Sequence, residues 1–209
     1  MLAKLDSYKR GQNWEQAAET LDEGFQRLIG SGAEAISHLS ETEMLAKVIQ
    51  GEPTQIVHQK TLFLTSFLKE AGDIAAAQDR LEESRRCYLK GLHLLLQTLA
   101  QNDESDFPDF VPKVDAFVLA LSDSPLPLET NALLMQHYER SGQFDKAEDA
   151  LFVMAELAPA NPAITEFGIC FYERLLGQSD AGLANGGLPR PEVEAGLNEL
   201  RERTKSLTG

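Results

Sequence analysis

The 209 residues, 43% hydrophobic and 25% charged, can bury roughly 70% of the surface they expose when unfolded, which excludes a chain without a core. Nineteen basic residues face thirty-three acidic ones, and the net charge of −14 sets the surface against nucleic acid and anionic membranes. No apolar run approaches about eighteen residues, and the start MLAKLDSYKRGQNWEQ lacks an apolar stretch fit for a signal peptide, so a cytoplasmic protein is expected.

Apolar residues recur at helical spacing along nearly the whole chain, without sustained two-residue alternation, so the expected fold class is all-α. A short helix runs through Tyr8 and a second covers Trp14 to Ile29. Ser40 with Glu43 forms a capping box that opens a helix to about Gln50, closed by Gly51. Pro53 starts a long helix to about Asp79, because its missing N–H costs nothing in a first turn. Helices follow over Leu81 to Gln101, Pro108 to Leu121, Leu126 to Arg140, Phe144 to Leu157 and Pro162 to Leu176, the last capped by Asn161. Asn185, Gly186 and Gly187 form a turn, and Pro189 and Pro191 frame a last helix with Val193, Leu197 and Leu200 on one face.

Two helices can cross closely only where one side chain is small. The segment Thr65 to Thr98 has that grammar: Leu68 large, Gly72 small, Ser84 small, Tyr88 large, Gly91 small. The stretch around SGQFDKAEDALFVMAELAPANP resembles the tetratricopeptide pattern in placing Leu134, Tyr138, Phe144, Ala147, Leu151 and Pro159 at that family's positions, with Met135 and Met154 where the family favours Gly or Ala. Tyr8, Trp14, Ala17, Leu21 and Gly24 supply a third set. The crossing residues Ala17, Ser84 and Ala147 are 67 and 63 residues apart, so the hairpins are not strictly consecutive.

These offsets resemble the tetratricopeptide repeat, a helical hairpin of about 34 residues. The order GDIAAAQDRLEESRRCYLKGL, an acidic linker, LLMQHYERSGQFDKAEDALFVM and FYERLLGQSDAGLANGGLPRPEVEAGLNELR is similar to an uncharacterised family of bacterial tetratricopeptide-like proteins. The resemblance implies an irregular array of antiparallel hairpins in a right-handed α-α superhelix. It implies a bacterial cytosolic protein, with another amphipathic helix ahead of Met1, and no assigned activity. One helical-repeat domain over 1–209 is expected, with hairpin-like units near 1–30, 53–101, 126–158 and 162–206.

Catalytic signatures are absent. There is no phosphate-binding glycine loop, dinucleotide fingerprint, zinc-protease helix or nucleophile elbow. His38, His58, His93 and His137 form no local ligand pair and are expected on helix flanks. Cys87 and Cys170 are expected as buried small apolar residues. The acidic run NDESDFPDF lacks the glycine and spaced ligands of a calcium loop, so its carboxylates are expected at the start of the helix containing Pro108. Arg80, Arg85, Arg86 and Lys90 are diluted by Glu82 and Glu83, which suits a solvated face.

In tetratricopeptide proteins the first helices of successive hairpins line a groove. The resemblance puts Lys69, Asp73, Ala76 and Ala77 on one wall, and Ala132, Gln136, Glu139 and Arg140 on the next. Lys69 matches a position that some members use to hold a peptide carboxylate, but Asp73 would repel one. The expectation is a protein-protein interaction scaffold or adaptor without catalysis, cofactor or metal, taking a protein or peptide partner of some basic character. The alternatives are a homodimer or larger homo-oligomer built on an exposed apolar face, and an enzyme or small-ligand sensor with a pocket between helices.

Overall fold

The computed structural model describes residues 1–102 and 104–208. It is all-helical, and the described residues form twelve α-helices and one 3₁₀ turn, with no strand. They gather into two compact units, Met1–Pro125 and Leu126–Gly209.

The first unit holds α1 (Leu2–Arg10), α2 (Trp14–Ile29), α3 (Ala33–His38), α4 (Glu41–Ile49), α5 (Thr54–Ala77), α6 (Leu81–Leu99) and α7 (Val114–Ala120). Local chemistry sets the boundaries. Gly30, at φ +66°, ends α2 in a left-handed cap that a side chain would disfavour. At α4, Ser40 accepts from the Glu43 N–H while the Glu43 carboxylate accepts from the Ser40 N–H, so the capping box satisfies two otherwise orphaned donors.

Helices α5 and α6 form an antiparallel hairpin whose closeness depends on glycine. A Cβ at Gly72 would overlap the Tyr88 ring, and one at Gly91 would lie 2.6 Å from the ring of Phe117 on α7. Gly24 does the same for α2 against α5, where a Cβ would come within 2.9 Å of the Phe67 ring. The core of this unit contains Leu5, Ala17, Leu21, Phe25, Ile36, Met44, Leu64, Phe67 and Leu94. Within it Phe25 meets Phe67 edge-to-face at 5.6 Å, a favoured aromatic geometry.

The helix expected over Pro108 to Leu121 is shorter than that and starts at Val114. Pro108 instead begins a turn closed by the Val111 N–H on the Pro108 carbonyl, and Pro112 drives the residue before it away from helical angles. The acidic run is therefore not in a helix's opening turn. Its Glu104–Asp106 portion is the 3₁₀ turn, and Asp103 lies outside the described residues. The stretch after that turn lies along α5, with Phe110 stacked on Phe63 at 4.5 Å and the Ser66 hydroxyl donating to the Phe110 carbonyl.

The second unit holds α8 (Leu128–Arg140), α9 (Phe144–Leu157), α10 (Pro162–Leu176), α11 (Asp180–Asn185) and α12 (Arg190–Thr208). Asn161 caps α10 through the Ala163 N–H, and Pro162 occupies its first turn. Helices α8 and α9 pair, and α12 runs antiparallel to α10, with Gly196 against the Tyr172 ring and Gly168 against Leu200 and Leu151. The Asp145 N–H donates to the Gly186 carbonyl, tying the start of α9 to the turn before α12.

Ala17, Ser84 and Ala147 are all buried, at 0%, 4% and 0% exposure, as helix crossings require. Met135 and Met154 are buried too, their flexible thioethers filling the core of the second unit. The short helices α3 and α11 have no counterpart among the expected elements; at six residues each they are too short to show a period. Cys87 is buried and burial pushes its thiol up to about 11, whereas Cys170, expected inside, is exposed on α10.

Candidate interaction surface

On α5, Lys69 and Asp73 are one helical turn apart, and the fold recruits three further groups to them. The Lys69 ammonium donates to Asp73 Oδ1 at 2.6 Å. Lys9, from α1, donates to Asp73 Oδ2 and to Glu70 Oε2, each at 2.8 Å. From α6 the Tyr88 hydroxyl donates to Asp73 Oδ1 at 2.8 Å, and the Lys69 ammonium lies 5.1 Å from the centre of the Tyr88 ring.

Two ammonium groups and two carboxylates thus neutralise one another. All four are partly shielded, with side-chain exposures of 17–25%, so the pairs outrank ordinary surface salt bridges. Burial alone would raise Asp73, but the hydrogen bonds from Lys69 and Lys9 outweigh it and hold the carboxyl below its ordinary range. Burial likewise pulls Lys9 down, and its bonds to Asp73 and Glu70 reverse the shift and leave it raised. Tyr88 is pushed up by burial and by the Asp73 carboxylate. Lys69 is consequently engaged within the protein, while Ala76 beyond it is half-buried and Ala77 is exposed.

On α8, Glu139 accepts a two-pronged contact from Arg174 of α10, at 2.6 Å from Nε and 2.8 Å from Nη2. Ala132 is half-buried; Gln136 and Arg140 are exposed. Between them the buried Tyr138 ring is flanked by His137 at 5.5 Å and by the Lys146 ammonium at 5.3 Å.

The two sets of four expected residues stand on separate units, one on α5 and one on α8. Within the first set the helical spacing of Lys69 and Asp73 already signals their pairing. Lys9, Glu70 and the Tyr88 hydroxyl carry no such signal, since their arrival depends on how α1 and α6 pack.

Arg85, expected on a solvated face beside Glu82, donates to the Ser124 and Pro125 carbonyls, while Arg80 pairs with Glu83. His58, as expected, lies on a helix flank, with its ring 5.9 Å from Phe107. It lines a groove of about 870 Å³ between α4, α5 and α6, whose amide wall (Gln55, Gln59, Gln97, Gln101) sequence reading did not pick out. In the second unit the Tyr172 hydroxyl donates to Glu148 at 2.5 Å, and burial raises the Glu148 carboxyl above its ordinary value. Among the described residues no group of three His, Cys, Asp or Glu is placed to hold a metal ion, and no helix is long and apolar enough to cross a membrane.

Small-residue crossings and an ion-paired α5 face define the class: an all-α protein of packed helix pairs. The model of a family of unknown function, DUF6483, matches residues 22–205, and the chain belongs to that family. No curated protein matches the chain, and no solved structure does.

Proposed function

We propose that the protein is a non-catalytic scaffold for protein-protein association, with tetratricopeptide-like hairpins arranged as a right-handed α-α superhelix. The observation that carries this reading is the hairpin packing itself: Gly72 against Tyr88 and Gly91 against Phe117, with Ala17, Ser84 and Ala147 buried at crossings. Such packing spends small residues on holding helices close, which leaves their outward faces free to vary. The partner faces are the first-helix surfaces, Lys69, Asp73, Ala76 and Ala77 on α5 and Ala132, Gln136, Glu139 and Arg140 on α8. On α5 the charges are already satisfied internally, so a partner gains more from shape and from the exposed Ala77 than from an ion pair with Lys69.

The test is affinity capture of the full chain from its native cells, compared with Ala77→Arg and Gln136→Arg, both at exposed positions. A specific protein retained by the natural chain and lost from either variant supports the scaffold. Identical capture by all three chains, or none by any, defeats it.

A further inference from the structure

The groove of about 870 Å³ between α4, α5 and α6 differs in chemistry from the rest of the surface. The chain is 25% charged, with a net charge of −14, yet among the described residues lining this groove there is no Lys, Arg, Asp or Glu. Leu45, Val57 and Leu94 make part of the lining apolar. Gln55 and Gln59 on α5, with Gln97 and Gln101 on α6, bring four exposed amides to it.

The other polar groups of the lining are largely answered by the fold. The Thr61 and Thr98 hydroxyls donate to the Val57 and Leu94 carbonyls, and the Asn102 amide donates to the Thr98 carbonyl. None of the four glutamine side chains makes a hydrogen bond among the described residues. Each offers both donors and an acceptor, so a ligand that satisfies them presents both kinds of group. It also brings no charge into the groove, where a charge would lose water without gaining a counter-charge.

The groups that the lining lacks narrow the class further. An anionic ligand would find no cation. A nucleobase needs an aromatic face on which to stack, and a sugar's C–H face needs the same. The one ring in the described lining, His58, already meets Phe107 edge-to-face at 5.9 Å. An extended peptide needs neither. Its main chain presents an N–H and a C=O at every residue, and alternate side chains turn the same way, towards Leu45, Val57 and Leu94. The spacing agrees. Residues four apart on a helix rise by about 6 Å, and alternate residues of an extended chain repeat at about 6.6–6.8 Å, so the two glutamines on each helix meet successive equivalent main-chain groups. From Thr54 to Thr61 the groove follows α5 for about 10 Å, the length of about three extended residues.

We infer that this groove holds a short, extended, uncharged stretch of a partner polypeptide, gripped through its main chain by Gln55, Gln59, Gln97 and Gln101. The site lies toward the start of α5, whereas Lys69 and Asp73 stand toward its end, and it binds whether or not that other face does.

The probe is a labelled, end-capped nine-residue peptide of alternating Val and Ser, titrated with the full chain by fluorescence anisotropy. One control is the same peptide N-methylated at every second residue, which keeps the side chains and removes main-chain donors. The other is a labelled maltoheptaose. The plain peptide binds, and neither control does. Gln59→Met with Gln97→Met keeps the length of both side chains, removes their amides and weakens binding about tenfold. Ile49→Lys, which sets a charge at an exposed lining position, weakens it as much, while Ala77→Arg changes nothing. The altered side chains are exposed, so each variant keeps the parent's thermal melt. No binding of the plain peptide, equal binding of its N-methylated form, saturable binding of the sugar, or unchanged affinity in both groove variants overturns the inference. A concentration-dependent dimer that Ile49→Lys abolishes also overturns it, because the groove would then belong to a second copy.

Discussion

Replacing Gly72 by Ala adds one methyl group where the Tyr88 ring already stands, with even the more distant Cζ only 2.8 Å from the new Cβ. Two effects oppose each other. Alanine inside a helix is favoured over glycine by about 1 kcal/mol, whereas forcing a methyl into a packed core costs roughly 1–3 kcal/mol. The Tyr88 ring cannot swing aside freely, because its hydroxyl is bonded to Asp73 at 2.8 Å. Losing that charge-assisted bond adds about 1.5–3 kcal/mol. The sum is a destabilisation of about 1.5–5 kcal/mol. Urea unfolding followed by circular dichroism measures it, and a Tyr88→Ala background isolates its cause. With the ring gone, the same Gly72→Ala change should stabilise by about 1 kcal/mol. If the substitution has the same effect in both backgrounds, the glycine is not there for Tyr88 and the account of this crossing is wrong.

The Thr65 hydroxyl is buried and, among the described residues, is the one buried side-chain polar atom without a hydrogen bond, so Thr65→Val should stabilise by about 1 kcal/mol in chemical denaturation. Ser40→Ala removes a capping box and should cost about 1 kcal/mol by the same measurement. Burial raises Glu148, so its charged form weakens the fold; the loss sets in as pH rises through the folded value and is absent below the unfolded value of about 4.3. Glu148→Gln, which can still accept from Tyr172, should therefore raise the melting temperature at pH 7 and leave it unchanged near pH 4. A thiol reagent should label Cys170 rapidly in the native protein and Cys87 only on unfolding.

Helix positions were legible wherever the apolar period was long or a cap was explicit. Trp14–Ile29, Phe144–Leu157 and Pro162–Leu176 match their expected bounds. The Pro108 helix failed because the apolar spacing across Pro112 continues while the backbone cannot. Cys170 was misplaced for a related reason: a cysteine is apolar enough for either face, so its exposure depends on the helix's rotation rather than its composition. Of the α5 face, only the Lys69 and Asp73 pair lay within reach of helical spacing. That Lys9 neutralises it from α1 depends on contacts 61 and 64 residues apart along the chain, which no local pattern encodes.

The half-buried Lys90 donates to the Ile36 and Ser37 carbonyls at 3.1 and 2.8 Å, at the C-terminal end of the six-residue α3. So brief a helix has no independent stability in water, and its negative pole is completed by a charge from another element. Its amides should therefore exchange with solvent deuterium only through excursions that also disengage α6, giving both a shared opening free energy. The same attachment shelters the Lys90 amine from acylating reagents until that excursion occurs, which makes its reactivity a clock for local unbuttoning.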